Sequence, residues 1–181
     1  PETRAVIARC AQPLVGIKSQ RSPDDERYIA LMRMLGGKSK FYIVDARSRV
    51  ATIGNKAIGK GTELIKFYTN VEILFMDIGN IHSVRESEAN LHALFRPNAL
   101  QSGGSFASKL EQTGWLSHIY TILSAAVRVV DLVRNEGCSC LVHCSDGWDR
   151  TAQITSLSLM LLDPYHRSLA GFFVRLHRLL V

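Results

Sequence analysis

A cysteine and an arginine separated by five residues can attack and hold a phosphoryl group. This chain carries that pair as Cys144 and Arg150, within Cys140-Leu-Val-His-Cys-Ser-Asp-Gly-Trp-Asp-Arg-Thr151. Reactivity depends on the thiolate, and a loop that feeds a helix N-terminus favours it. Unpaired backbone N–H groups converge there, and the helix dipole adds partial positive charge. Arg150 can fold back over such a loop and grip two phosphate oxygens in a fork. The chemistry that this spacing suits is nucleophilic attack on phosphorus.

The neighbouring residues supply the elements that this loop needs. Cys140 to His143 are apolar and short, which predicts a buried strand. Thr151 to Leu162 lack Gly and Pro and predict a helix, stopped by Asp163-Pro164. Gly147 sits inside the loop, where tight turns need it. Strand, Gly-bearing loop and helix therefore fall in the order that the chemistry requires.

The string His143-Cys-Ser-Asp-Gly-Trp-Asp-Arg-Thr151 resembles the active-site signature of the myotubularins. Other segments resemble the family in family order: Phe41-Tyr-Ile-Val-Asp-Ala-Arg47, Asn55-Lys-Ala57, Gly59-Lys-Gly61, Asn80-Ile-His-Ser-Val-Arg-Glu-Ser87 and Gly114-Trp-Leu-Ser-His118. The likeness runs from about Arg9 to about Val174. It implies an α/β chain on the cysteine-dependent phosphatase fold, with a mixed central sheet flanked by helices. One partial catalytic domain over residues 1–181, incomplete at both ends, is expected. Ser48 stands where the family usually has Pro. After Gly171-Phe-Phe-Val174 the likeness fades into Arg-Leu-His-Arg-Leu-Leu-Val181. The family's continuing helix, its further basic residues and its N-terminal lipid-binding domain are not expected within this stretch.

The resemblance also implies roles. The activity would be removal of the 3-phosphate from phosphatidylinositol 3-phosphate and phosphatidylinositol 3,5-bisphosphate through a phosphocysteine on Cys144. Arg150 would clamp the phosphate, and Asp149 would serve as acid and then base. Ser145, Gly147 and Trp148 would lend backbone N–H groups, with Trp148 also stiffening the loop by packing. Asp146 would contact ring hydroxyls, and Asn55, Asn80 and Ile81 would line the pocket. From the residues alone, an Asn in a loop is more often a turn residue than a ligand. Asp149 can instead only hydrogen-bond loop amides. His143 can orient the loop or be a satisfied core residue, and Asp45 with Arg47 can brace the loop or form a structural pair. No cofactor or metal is implied.

Composition bears on partners. The chain has 181 residues, 46% hydrophobic, with a net charge of +6. The basic surplus suits polyanions, and no nucleic-acid motif is visible, so an anionic membrane or phosphorylated substrate fits better. Peripheral association with endosomal membranes from the cytoplasm is expected, and so is a homo- or hetero-oligomer with family members. No run approaches the length of continuous apolar residues that spans a bilayer. Four cysteines, three of them crowded between Cys138 and Cys144, do not form a secreted disulfide framework. A zinc site from Cys138, Cys140, His143 and Cys144 is poor, because strand residues point to alternate faces. A Cys140–Cys144 disulfide would have to bridge about 13 Å.

Two other functional classes share the motif: a non-catalytic module that binds phosphoinositides or partners, and a phosphatase acting on phosphotyrosine protein. Away from the loop, Ser22 with Pro23, Asp24, Asp25 and Glu26 predicts a helix start. That helix should end at Gly36-Gly37. Phe41–Val44 and Val71–Met76 predict strands. Ser83-Val-Arg-Glu86 reads as a capping box for a helix that stops before Pro97. Gln101-Ser-Gly-Gly-Ser105 predicts a turn. Leu116, Ile119, Leu123, Ala126, Val127, Val130 and Val133 predict a helix closed by Gly137, and a last helical stretch is expected from Tyr165 to Val181.

Overall fold

The computed structural model describes residues 3–36, 38, 40–96, 103 and 105–180. Four strands are present among them: β1 (Ile7–Cys10), β2 (Phe41–Asp45), β3 (Val71–Phe75) and β4 (Ser139–His143). They pair in the order β1-β4-β2-β3, and every pairing is parallel. The mixed sheet expected from the family likeness is therefore not found among the described residues. Helices separate each strand from the next, so the chain returns to the same edge before pairing, and no hairpin reverses it.

The helices form where the caps dictate. Ser22 accepts from Asp25 N–H and opens α1 (Pro23–Leu35), with Pro at its start and acids in its first turn. The α1 helix stops at Gly36; Gly37, the second glycine of the expected stop, lies outside the described residues. Ser48 accepts from Ala51 N–H at 3.1 Å and caps α2 (Arg49–Lys56). The serine that departs from the family pattern is thus a helix cap. The α3 helix (Ile81–Ala93) corrects the capping-box reading. Its cap is Asn80, which accepts from Ser83 N–H at 3.0 Å, so Ser83 lies inside the first turn. Most of the turn expected over 101–105 lies outside the described residues; Ser105 caps the short α4 (Phe106–Gln112).

The α5 helix (Trp115–Arg134) is long and apolar enough to cross a bilayer by length and composition, which the absence of a continuous apolar run had not led us to expect. Its C-terminal half is core, burying Ala125, Ala126, Val129, Val130, Leu132 and Val133. Of the expected stripe, Ala126, Val130 and Val133 are buried, while Leu116, Ile119, Leu123 and Val127 are exposed. The α6 helix (Arg150–Leu162) packs along it, and Ser158 Oγ donates to Ala126 O at 3.2 Å. Asp163 closes α6, and its carboxylate accepts from Tyr165 N–H at 2.9 Å. The last stretch is a 3-10 turn over Pro164–Arg167, then α7 (Leu169–Leu180).

Strands β2 and β4 are buried along their whole length, as central parallel strands covered on both faces are. Side chains alternate between two apolar clusters. Tyr42, Val44, Cys140 and Val142 join Val129, Leu132 and Ile154 on the α5–α6 side. Phe41, Ile43 and Leu141 join Ile29, Met32 and Val71 on the α1 side. At the carboxyl end of β2, Asp45 and Arg47 form a completely buried ion pair, Nη2 to Oδ2 2.7 Å and Nε to Oδ1 2.9 Å. Arg47 also donates to Gln12 Oε1 and, at 2.8 Å, to Gly61 O. It is the structural pair, and it ties three segments together below the Cys144 loop. Arg47→Met would leave the Asp45 carboxylate buried without its cation, and should lower stability in urea denaturation by about 3–5 kcal/mol.

Candidate active site

Strand β4 lies between β1 and β2, and the loop from Cys144 to Asp149 leaves its carboxyl end. Open α/β sheets place their ligand crevices at that edge. The loop then enters α6, so its backbone donors face the position where an anion would sit. The sulfur of Cys144 is buried, and Gly147 N–H donates to it at 3.3 Å. Burial alone would push this thiol up. The Thr151 hydroxyl and backbone N–H, the Gly147 N–H and the Arg150 charge outweigh burial, and the value falls below the ordinary thiol range. Thr151 Oγ1 makes no hydrogen bond of normal geometry, so its help to the sulfur is the weaker, dipolar kind. Cys140, two residues into the strand, is pushed up to about 12 by burial. Cys138 is likewise raised, by burial first. Cys144 alone of these three is biased toward thiolate, the reactive form.

Arg150 is buried at the start of α6. One arm of its fork donates to Ser145 Oγ at 3.1 Å, while Nε is buried with no acceptor. A buried donor without a partner is costly and rare. An oxyanion above Cys144 would supply the acceptor, and an arginine fork matches its geometry.

Gly147 shows why the loop can lie where it does. Its φ is +80°, and a Cβ there would meet Cys10 O at 2.4 Å. The loop rests on the chain just after β1, where Gln12 N–H donates to Ser145 O at 3.1 Å and Arg9 Nη2 donates to Gly147 O at 3.0 Å. Any side chain at 147 would lift the loop off this support.

His143 is completely buried, and its ring nitrogen Nδ1 lies 3.1 Å from Cys144 O. Nε2 is 3.4 Å from Glu63 Oε2 and 3.9 Å from Asp45 Oδ2. The Glu63 contact is an ion pair by distance, without the angles of a hydrogen bond. Burial would lower the His143 value; Glu63 first, then Asp45 and the Cys144 carbonyl, outweigh it and raise it. Of the two roles left open by sequence, the geometry contains both: His143 is a buried residue with partners, and its ring lies against the Cys144 carbonyl.

The remaining sequence-predicted residues divide. Asp146 reaches across to Lys60, Oδ1 to Nζ 3.3 Å, at the exposed rim. Asp149 precedes α6 with φ −103° and ψ −89°, and its side chain does not cap the helix. Among the described residues it makes no hydrogen bond to a loop amide, so its carboxyl is not committed there. Trp148 is exposed, which corrects the expectation that it stiffens the loop by packing: the indole projects outward from a loop whose inner side is filled by Cys144 and Gly147. Asn55 belongs to the last turn of α2, not a loop, and its amide donates back to Ala51 O at 2.8 Å. Asn80 is the α3 cap, and Ile81, exposed, is the first residue of that helix. Among the described residues no hydrogen bond joins Asn55, Asn80 or Ile81 to the Cys144 loop. The contributors that sequence reasoning missed are Arg9, Gln12, Lys60, Glu63 and Thr151. Of these, Lys60 and Thr151 stood inside the quoted motifs.

The family described as the Myotubularin-like phosphatase domain matches residues 1–178. Myotubularin of Xenopus laevis is 47% identical over 175 residues, covering 96% of this chain and 29% of the relative. Myotubularin of Rattus norvegicus is 47% identical over 173 residues, 95% of this chain and 28% of the relative. A Gallus gallus protein named phosphatidylinositol-3,5-bisphosphate 3-phosphatase MTMR2 is 46% identical over 184 residues, 96% of this chain and 30% of the relative. The chain belongs to the myotubularin-like phosphatase family. It spans about three tenths of the length of these relatives.

The His143 geometry yields a pH test. Its folded value lies above the ordinary 6.5, so the folded state holds the proton more tightly than the unfolded state does. That stabilisation is fully present below about pH 6.5 and is lost as pH rises through the folded value. Glu63→Gln removes the main cause. Thermal or urea melts should show a loss of about 2 kcal/mol below pH 6.5 that shrinks at alkaline pH. A loss independent of pH would mean that Glu63 does not act through His143.

Proposed function

We propose that this chain is part of a phosphoinositide 3-phosphatase acting on phosphatidylinositol 3-phosphate and phosphatidylinositol 3,5-bisphosphate. The observation that carries the reading is the pairing of a thiol held low by loop and helix donors with a buried guanidinium whose Nε lacks an acceptor. The name of the chicken relative supports the substrate class. The parallel sheet with its nucleophile at the carboxyl end of β4 is compatible with the cysteine-dependent phosphatase fold, which we take as part of the proposal.

The steps balance as follows. The Cys144 thiolate attacks phosphorus, an S–P bond forms, and the P–O bond to the inositol C3 oxygen breaks. Asp149 gives its proton to that leaving oxygen. Water then attacks the phosphocysteine, Asp149 takes the water's proton, and the S–P bond breaks to release inorganic phosphate and the thiolate. Arg150 and the N–H groups of Ser145, Gly147 and Trp148 hold the equatorial oxygens through both steps. Asp146 and Lys60, paired at the rim, face the rest of the head group. The protein works at the cytoplasmic face of endosomal membranes.

Cys144→Ser should abolish phosphate release from short-chain phosphatidylinositol 3-phosphate and leave lipid binding largely intact, because a serine hydroxyl is not ionised near neutral pH. Undiminished release would sink the mechanism. Lipid binding by the unaltered chain with no trapped phosphocysteine would favour a non-catalytic binding module instead. Faster release from a phosphotyrosine peptide than from the lipid would favour a protein substrate.

Asp146→Ala should slow turnover of phosphatidylinositol 3-phosphate more than that of a small aryl phosphate, which has no ring hydroxyls. The difference should be about 1 kcal/mol, the net worth of one hydrogen bond. Equal losses would confine Asp146 to pairing with Lys60.

A further inference from the structure

Four large apolar side chains stand on loop tips around the Cys144 loop and serve no step of the chemistry. Leu14 is 71% exposed, Ile17 74%, Ile58 68% and Trp148 73%. Such side chains occur elsewhere on this chain too, and scattered ones need no explanation. These differ because their three segments are stitched to one another and to the catalytic loop.

Gly16 N–H donates to Lys60 O at 3.1 Å, and a Cβ on Gly16 would sit 3.3 Å from Gly59 Cα. The two glycines let the 13–20 and 55–61 segments touch backbone to backbone, and each has an isoleucine beside it, Ile17 and Ile58. Val15, buried between them, packs over Gly61. Lys60 then reaches Asp146, and Gln12 N–H reaches Ser145 O, so the pair of loops is fixed to the loop that carries Trp148. The tips therefore sit on segments joined to the Cys144 loop.

We propose that these tips form a bilayer-docking surface that seats the Cys144 mouth against an anionic membrane. The proposal rests on the phosphoinositide reading for its purpose, since a lipid substrate must enter from that side. Charge selects the occupant. Residues 13–18 and 55–61 contain Lys18, Lys56 and Lys60 and no acid. The Cys144 loop adds Asp146 and Asp149; Lys60 pairs with Asp146, which leaves Lys18 and Lys56 for anionic head groups. Apolar tips interleaved with lysines match a bilayer interface: the alkyl groups enter the acyl boundary, the ammonium groups meet anionic head groups, and an exposed indole suits the head-group level.

The test is co-sedimentation of the 181-residue chain with vesicles of phosphatidylcholine alone, or with about one fifth phosphatidylserine, neither containing phosphoinositide. The unaltered chain should bind the anionic vesicles and release them as salt rises. Leu14→Ser, Ile17→Ser and Ile58→Ser combined should weaken that binding roughly tenfold or more. The melting temperature and turnover of a short-chain, monomeric phosphoinositide should not change, because all three side chains are exposed. Equal vesicle binding by the triple variant, or no binding by the unaltered chain, would overturn the proposal. Retained vesicle binding without turnover of the short-chain lipid would remove the phosphatase reading and leave the docking surface standing.

Discussion

Arg47 is a full positive charge with no contact with water, and the architecture around Cys144 depends on how that charge is satisfied. Asp45 supplies two carboxylate oxygens, Gly61 a carbonyl and Gln12 an amide oxygen. These come from the end of β2, from the segment after α2 and from the chain leaving β1. A buried cation with fewer partners would be intolerable, so its position fixes all three segments at once. The same Asp45 lies near His143, and Glu63 completes the set. The loop that carries Cys144 thus sits on an electrostatic floor, with the apolar core on either side of it.

That floor and the loop divide the electrical work. Below, carboxylates raise the basicity of His143 despite its burial. Above, N–H donors and Arg150 lower the Cys144 thiol despite its burial. The two effects have opposite sign and act on adjacent residues, one facing each side of the sheet. Burial opposes both charged forms and strengthens the interactions that sustain them, because charges are less screened there.

Sequence made the loop legible because its chemistry leaves few alternatives: a nucleophile, a turn glycine and a cation at a fixed interval between a strand and a helix. The caps at Ser22 and Asp163 and the core half of α5 were legible for local reasons of the same kind. The errors arose where one residue type serves two purposes. Asn80 is the cap of α3, a task for which Asn is as suited as Ser, and Ser83 read as that cap three residues late. Asn55 read as a loop residue because Gly54 obscured a short helix. The exposed half of α5 has the periodicity of a buried face, and periodicity does not say what covers it. Glu63, Gln12 and Arg9 could not be found locally. Arg9 meets Gly147 across 138 positions, and only the strand order brings such segments together.

The β1 strand carries a consequence for the order of assembly. Among the described residues its pairing partner is β4, and Ile7 aligns with Cys140. A chain synthesised from its N-terminus therefore makes β1 before β4, and this pairing cannot form until more than a hundred further residues have been added. Within this stretch, the support beneath the Cys144 loop is made well before the loop itself. Non-local parallel pairing of this kind closes late and slowly, and an open apolar edge is exposed to wrong partners meanwhile. The Cys144 loop therefore gains its support at a stage when the α5 helix has already been made and can cover the sheet that β4 enters.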